Sequence, residues 1–171
     1  MSFTPAETAS LLVASAEAIR EETQALPPGL ATFHPAPGEW CVNEVLGHLI
    51  EAEQRGFAGR IRIILAAPGE PRLETWDQNE VARQRGDCER DTADLLRELS
   101  ALRHDAVALV AGLRPADLAR GGLHPKVGRL RVAELLHEWV HHDRNHFKQI
   151  LTNVQLAAWP AMGNAQKFSG D

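Results

Sequence analysis

The stretch from Arg131 to Ala157 runs for 27 residues without a Gly or a Pro. Val132, Leu135, Leu136, Trp139, Val140, Phe147, Ile150, Leu151 and Val154 recur along it at the three- and four-residue spacing of one helical face. This pattern predicts a single amphipathic helix of roughly 40 Å at 1.5 Å per residue. A rod of that length cannot bury its apolar face on itself. It needs partners of comparable length, and the rest of the chain offers three.

Pro5, tolerated in a first helical turn, opens the first partner, with Leu11, Leu12, Ala14, Ala18 and Ile19 as its stripe. It stops before Pro27-Pro28-Gly29. The second starts near Cys41, where Cys41-Val42-Asn43-Glu44 has the form of a capping box with Cys in place of Ser or Thr. Its stripe, from Val42 and Val45 through Phe57, Ile61 and Ile64, reads as one continuous helix ending at Pro68-Gly69. The third begins at Trp76 or at Asp87, on either side of Gly86, and runs to Ala111. Between Leu113 and Leu130, Pro115, Gly121-Gly122, Pro125 and Gly128 predict an irregular connection with room for a short turn or strand. The tail from about 158 is expected to lie loosely on the surface. The fold expected is therefore all-α: one domain over residues 1–171, a four-helix bundle with a long irregular connection before the last helix.

Bulk chemistry narrows the function. The 171 residues carry a formal charge of −5 and no basic run, which argues against nucleic acid as a partner. No segment approaches the roughly 20 apolar residues of a membrane span, and residues 1–7 lack a basic and apolar leader, so a cytoplasmic location is expected. Cys41 and Cys88 lack the paired spacing of a thiolate metal site and read as reduced thiols.

Five of the eight histidines fall after Gly122. On the long helix, two pairs stand one turn apart and compete as a metal-binding pair: His137 with His141, and His142 with His146. Helical phase separates them. His146 lies close to Leu135 and Trp139, with His142 beside it on the edge of the stripe. His141 falls among Glu134, Glu138, Asn145 and Lys148, on the solvated side, and His137 is intermediate. The third ligand expected is His48 on the second helix, which shares a face with the small residues Ala52, Gly56 and Gly59. Three imidazoles with one open position make a catalytic rather than a structural metal site, and such an ion lowers the pKa of a water in that position. Zn and Ni suit these ligands first, with Fe and Mn also acceptable. Asp143 near the centre of the apolar arc needs a partner, either an Arg or Trp or a ligand histidine that it orients from behind. Glu51 is a second candidate for that supporting role, and Glu51 or Glu53 for a general base. No Gly-x-Ser-x-Gly elbow and no Cys–His pairing is visible, so the nucleophile comes from outside the chain.

Gly38-Glu39-Trp40-Cys41-Val42-Asn43-Glu44-Val45-Leu46-Gly47-His48-Leu49, followed by His142-Asp143-Arg144-Asn145-His146-Phe147-Lys148-Gln149-Ile150, resembles the DinB-like superfamily in order and spacing. The resemblance implies a four-helix bundle that holds a divalent metal through His48, His142 and His146, the pair chosen by phase plus the histidine of the second helix. It further implies a homodimer acting on a small molecule. Among family members are S-transferases that use a low-molecular-weight thiol, and isomerases. Two departures stand out: Cys41 where the family usually has Ser, and Phe147-Lys148 where many members have Arg-Gly. The expected function is thus a metal-dependent enzyme of thiol S-transferase type, with a metal-dependent hydrolase or a non-catalytic metal-binding stress-response module as alternatives.

Overall fold

The computed structural model describes residues 2–169. Four helical rods form the bundle: α1 (Pro5–Gln24), α2 (Val42–Glu51) continued by α3 (Ala58–Ala66), α5 (Thr92–Ala111) and α7 (Val132–Ala158). The short helices α4 (Gln78–Arg85) and α6 (Pro115–Leu118) lie in the connections. Helix α1 packs on α5 and α7, and α2 packs on the same two, which puts α1 and α2 at opposite corners.

Side-chain pattern sets the direction of each rod. Two apolar clusters stack along the bundle. One holds Leu12, Phe57, Ile61, Val110, Leu136 and Trp139. The other holds Ile19, Val45, Leu49, Leu95, Leu99 and Ile150. Helices α1 and α7 meet the first cluster early and the second late; the α2–α3 rod and α5 do the reverse. So α2 and α5 run the same way, and the chain returns between them through residues 67–91. Between the clusters lies a layer of buried polar groups, Ser15, Glu53, Arg103 and Asp143, with one from each rod.

Local chemistry explains the boundaries. Thr4 caps α1 with Glu7 in a reciprocal capping box. Asp77 caps α4 and Asp91 caps α5. Gly86, at φ 60°, ends α4 in a left-handed turn that few other residues adopt without strain. Neither start expected for the third helix is its start: Trp76 precedes the separate helix α4, Asp87 opens a 3₁₀ turn, and the rod begins at Thr92 under the Asp91 cap. The irregular connection contains an antiparallel hairpin, β1 (Gly121–His124) with β2 (Gly128–Arg131), in register Gly122 to Leu130. The tail forms 3₁₀ turns over Trp159–Phe168 with no buried residue.

The second helix differs from its expected form. It is not continuous from Cys41 to Pro68: a π-turn over Ala52–Gly56 splits it, with the Phe57 N–H donating to the Ala52 carbonyl at 2.8 Å. Gly59 permits this, because a Cβ there would overlap the Gln54 carbonyl oxygen. The extra residue turns Phe57 inward to stack on Trp139. No described helix is long and apolar enough to cross a membrane.

Candidate metal centre

His48 points from α2 toward the side of α7 that presents His142 and His146. One ligand-type nitrogen from each of the three lies within 4.8 Å of the other two. His48 Nε2 and His142 Nε2 are 3.0 Å apart. Two nitrogens bound to one ion at about 2.0–2.1 Å stand roughly 3 Å apart. The ring of Trp40 covers His48 at 5.0 Å between centroids, and Phe57 meets His142 edge-on at 5.1 Å. The site is walled by aromatic rings on two sides.

Burial keeps these imidazoles neutral. It pushes His48 down to about 3, with His146 adding to the effect, and His142 down to about 2, with His146 and His48 adding. Burial also lowers His146, opposed by its bond to Gln149. Neutral rings have lone pairs to give at physiological pH. Gln149 Oε1 lies 2.9 Å from His146 Nδ1. As acceptor it fixes the proton there and leaves Nε2 as the donor atom. His142 Nδ1 is buried and has no hydrogen-bond partner among the described residues. A cluster of three close, neutral nitrogens suits a metal ion in both donor type and spacing.

The neighbouring acids serve arginines rather than the histidines. Asp143 takes the first of its two expected roles: it is fully buried and accepts from Arg103 at 2.5 and 3.1 Å, so it holds an arginine rather than a histidine. Glu53 ion-pairs with the same Arg103 and accepts from Trp139 Nε1 at 3.1 Å. Burial raises its pKa to about 7, against the pull of Arg103. Glu51 pairs with Arg85 at 2.9 Å and Arg55 at 2.6 Å. Neither Glu51 nor Glu53 lines the cleft beside the histidines. His137 serves the fold: its Nε2 accepts from the Phe3 N–H at 3.0 Å. His141 is exposed and meets Asn145.

His48 and His142 lie at one end of a cleft of about 560 Å³. Phe57, Trp76, Val127, Leu130 and Leu135 give it an apolar wall, and Arg60, Lys126, Glu134 and Glu138 give it charge. Ala52 and Gly56 line it as well, so these two small residues do leave room beside His48. Glu134 is engaged by Arg131 at 2.8 Å. Glu138, one turn before His142, has no hydrogen bond or ion pair among the described residues. The periodicity placed Glu138 on the solvated face, and nothing in the sequence marked that face as the floor of a cleft.

A model of the DinB superfamily matches residues 11–150. The chain belongs to the DinB superfamily. A protein of Oceanobacillus iheyensis, named as a candidate metal-dependent hydrolase, is 25% identical over 123 residues, 71% of this chain and 69% of its own. YfiT from Bacillus subtilis, described as a probable metal-dependent hydrolase with an unusual four-helix bundle topology, superposes with a TM-score of 0.82. That match has 18% identity and covers 93% of this chain and 92% of YfiT, so it establishes the shared fold. The parallel course of α2 and α5 departs from a simple up-and-down bundle.

A second cluster was not expected. Cys41 and Cys88, 47 residues apart in sequence, place their sulfurs 2.9 Å from each other, and His34 and Glu44 adjoin them. Both cysteines are free. The absence of paired spacing concealed this proximity, because the fold rather than the sequence joins them.

Proposed function

We propose that this protein is a metal-dependent enzyme of hydrolase type, with His48, His142 and His146 as ligands of one divalent ion of the Zn or Ni class. The observation that carries the reading is the convergence of three neutral imidazoles, two of which, His48 and His142, line the end of a cleft. The names of the two relatives point the same way. When bound, such an ion supplies Lewis acidity and lowers the pKa of a water or thiol in its open position.

The chain's own residues do the rest. Gln149 orients His146. Trp40 and Phe57 keep bulk water from the ligands, which strengthens every electrostatic interaction inside. Arg60 and Lys126 hold an anionic group of a small substrate while Trp76 and Leu135 cover its apolar part. Glu138 Oε takes up the proton of the attacking group and returns it to the leaving group. The cleft lining contains no Cys or Ser, and its Thr75 has no hydrogen bond to a histidine or acid among the described residues, so this reading takes the nucleophile from the substrate or from solvent. The two cationic side chains and the cleft volume also fit an anionic low-molecular-weight thiol, which favours S-transfer as the second reading.

The test begins with metal analysis of protein purified without a histidine tag. His48→Ala and His142→Ala should each remove this ion; retention of wild-type content in both would sink the assignment. The loaded enzyme is then offered esters, amides and phosphoesters, and separately small thiols with an electrophilic acceptor. Metal-dependent turnover with water alone supports hydrolysis, and turnover only with a thiol supports transfer. No turnover in either arm leaves a non-catalytic metal-binding module. Glu138→Gln should keep the metal and slow turnover by about 10²–10⁴-fold.

A further inference from the structure

We propose that His34, Cys41, Glu44 and Cys88 form a second metal site, selective for thiophilic divalent ions of the zinc class, independent of the histidine site. One ligand-type atom from each of the four lies within 4.8 Å of the other three. The sulfurs are 2.9 Å apart, so an ion held by both at about 2.3 Å would have to spread them to tetrahedral spacing, and His34 Nε2 lies 3.0 Å from Glu44 Oε2. The donors come from three separated segments. His34 follows the 3₁₀ turn Leu30–Thr32, Cys41 and Glu44 start α2, and Cys88 lies in the 3₁₀ turn Asp87–Glu89.

The donor set decides the class of ion. Two thiols, an imidazole and a carboxylate are donor types zinc binds, and they number four, as in its tetrahedral sites. Calcium and magnesium require oxygen ligands and are excluded by the sulfurs. His34 and Glu44 already pair with each other at 3.0 Å beside the two sulfurs, so the four donors stand together before any ion binds. Binding releases the two thiol protons to solvent and changes no oxidation state. Access fits as well: Cys41 is fully buried, while His34 on the outer side is exposed.

The site would tie the loops before α2 and before α5 to the start of α2. Cys41 adjoins Trp40, whose ring covers His48 at 5.0 Å and stacks near His146 at 6.5 Å. His48 itself stands seven residues further on, roughly 10 Å along the helix axis, so the two sites do not share ligands. Glu44 accepts from the Cys41 backbone N–H at 2.8 Å and thereby holds its carboxylate beside the thiol.

Cobalt substitution under reducing conditions tests this, because only thiolate ligation gives an intense sulfur-to-cobalt charge-transfer band. The wild-type chain should bind two equivalents and show the band. Cys88→Ser should lose one equivalent and the band. His48→Ala should lose one equivalent and keep the band, which separates this site from the histidine site. His34→Ala, an exposed change that spares the core, should weaken binding at the second site by about tenfold or more, with helical content by circular dichroism unchanged. Absence of the band in the wild-type chain would overturn the proposal. So would an isolated protein whose intact mass is lower by two hydrogens, which would make Cys41 and Cys88 a disulfide rather than a ligand pair.

Discussion

At Gly47 a single hydrogen in place of a methyl decides how two segments meet. The Asp87 carboxylate lies against this glycine, and a Cβ at position 47 would overlap it. Asp87 is 1% exposed and is held there by Arg85 and by Arg90, the latter at 3.0 Å. On helix propensity alone, Gly47→Ala in mid-helix should stabilise by up to about 1 kcal/mol. The contact should win instead, because the displaced carboxylate is buried and paired. The expected outcome is a loss of about 1–3 kcal/mol in urea denaturation; an unchanged or raised midpoint would show that Asp87 moves freely. At His146 the controlling atom is Gln149 Oε1, 2.9 Å from Nδ1. Gln149→Leu should keep the fold and weaken metal affinity by about 10–100-fold, read by competition with a chromophoric chelator. The residues differ in how legible they were. The geometry brings His142 and His146 together with His48 because a helical period fixes which side chains share a face. Gly47 gave no such sign, since its neighbour Asp87 is reached only through the fold. For the same reason nothing in the sequence showed that Cys41 sits against Cys88.

Among the elements, α7 was readable almost to the residue, since no Gly or Pro interrupts it and its stripe is continuous. The α2–α3 rod was not. Its stripe skips from Ile50 to Phe57 with Glu53 on the same face, but seven residues is still a helical interval, so beyond that gap only the small residues Gly56 and Gly59 hinted at irregular backbone. The π-turn matters because it delivers Phe57 to His142 and Glu53 to the buried layer. That layer ties all four rods through one guanidinium: Arg103 on α5 donates to Asp143 on α7, ion-pairs with Glu53 of the α2–α3 rod, and donates to the Leu12 carbonyl on α1 at 3.0 Å. Replacing such a group by well-packed apolar residues can be neutral, but removing one partner leaves an uncompensated buried charge. Asp143→Ala should therefore cost about 3–5 kcal/mol in urea denaturation, far more than an exposed acid such as Glu80. A loss under 1 kcal/mol would mean that Glu53 alone satisfies Arg103. Because Asp143 lies between the two histidines in sequence, the same change should also loosen their spacing.

Across the whole molecule, the buried histidines and the buried acid pull stability in opposite directions with pH. Unfolded, His48 and His142 take up protons below their ordinary 6.5; folded, they stay neutral down to about 3 and about 2. Each proton bound only by the unfolded chain makes stability rise with pH by about 1.4 kcal/mol per unit. His146, also lowered by burial, acts in the same direction. Glu53 works the other way: burial lifts it from 4.5 to about 7, so between those values the folded state holds the extra proton. Its contribution is full below 4.5 and is lost as pH rises through about 7. Two or more histidines outweigh one carboxyl, so the metal-free protein should lose stability on acidification from 6.5 to 4.5. Below 4.5 Glu53 is protonated in both states, its opposition ends, and the loss should steepen. Urea midpoints measured across this range in the presence of chelator check the sign, and a flat or rising profile would contradict it. Glu53→Gln removes the opposing group, so its slope should be steeper than the parent's between 4.5 and 6.5 and parallel to it below. With zinc present the fall should be steeper again, because protons then compete with an ion that only the folded arrangement of three imidazoles can hold.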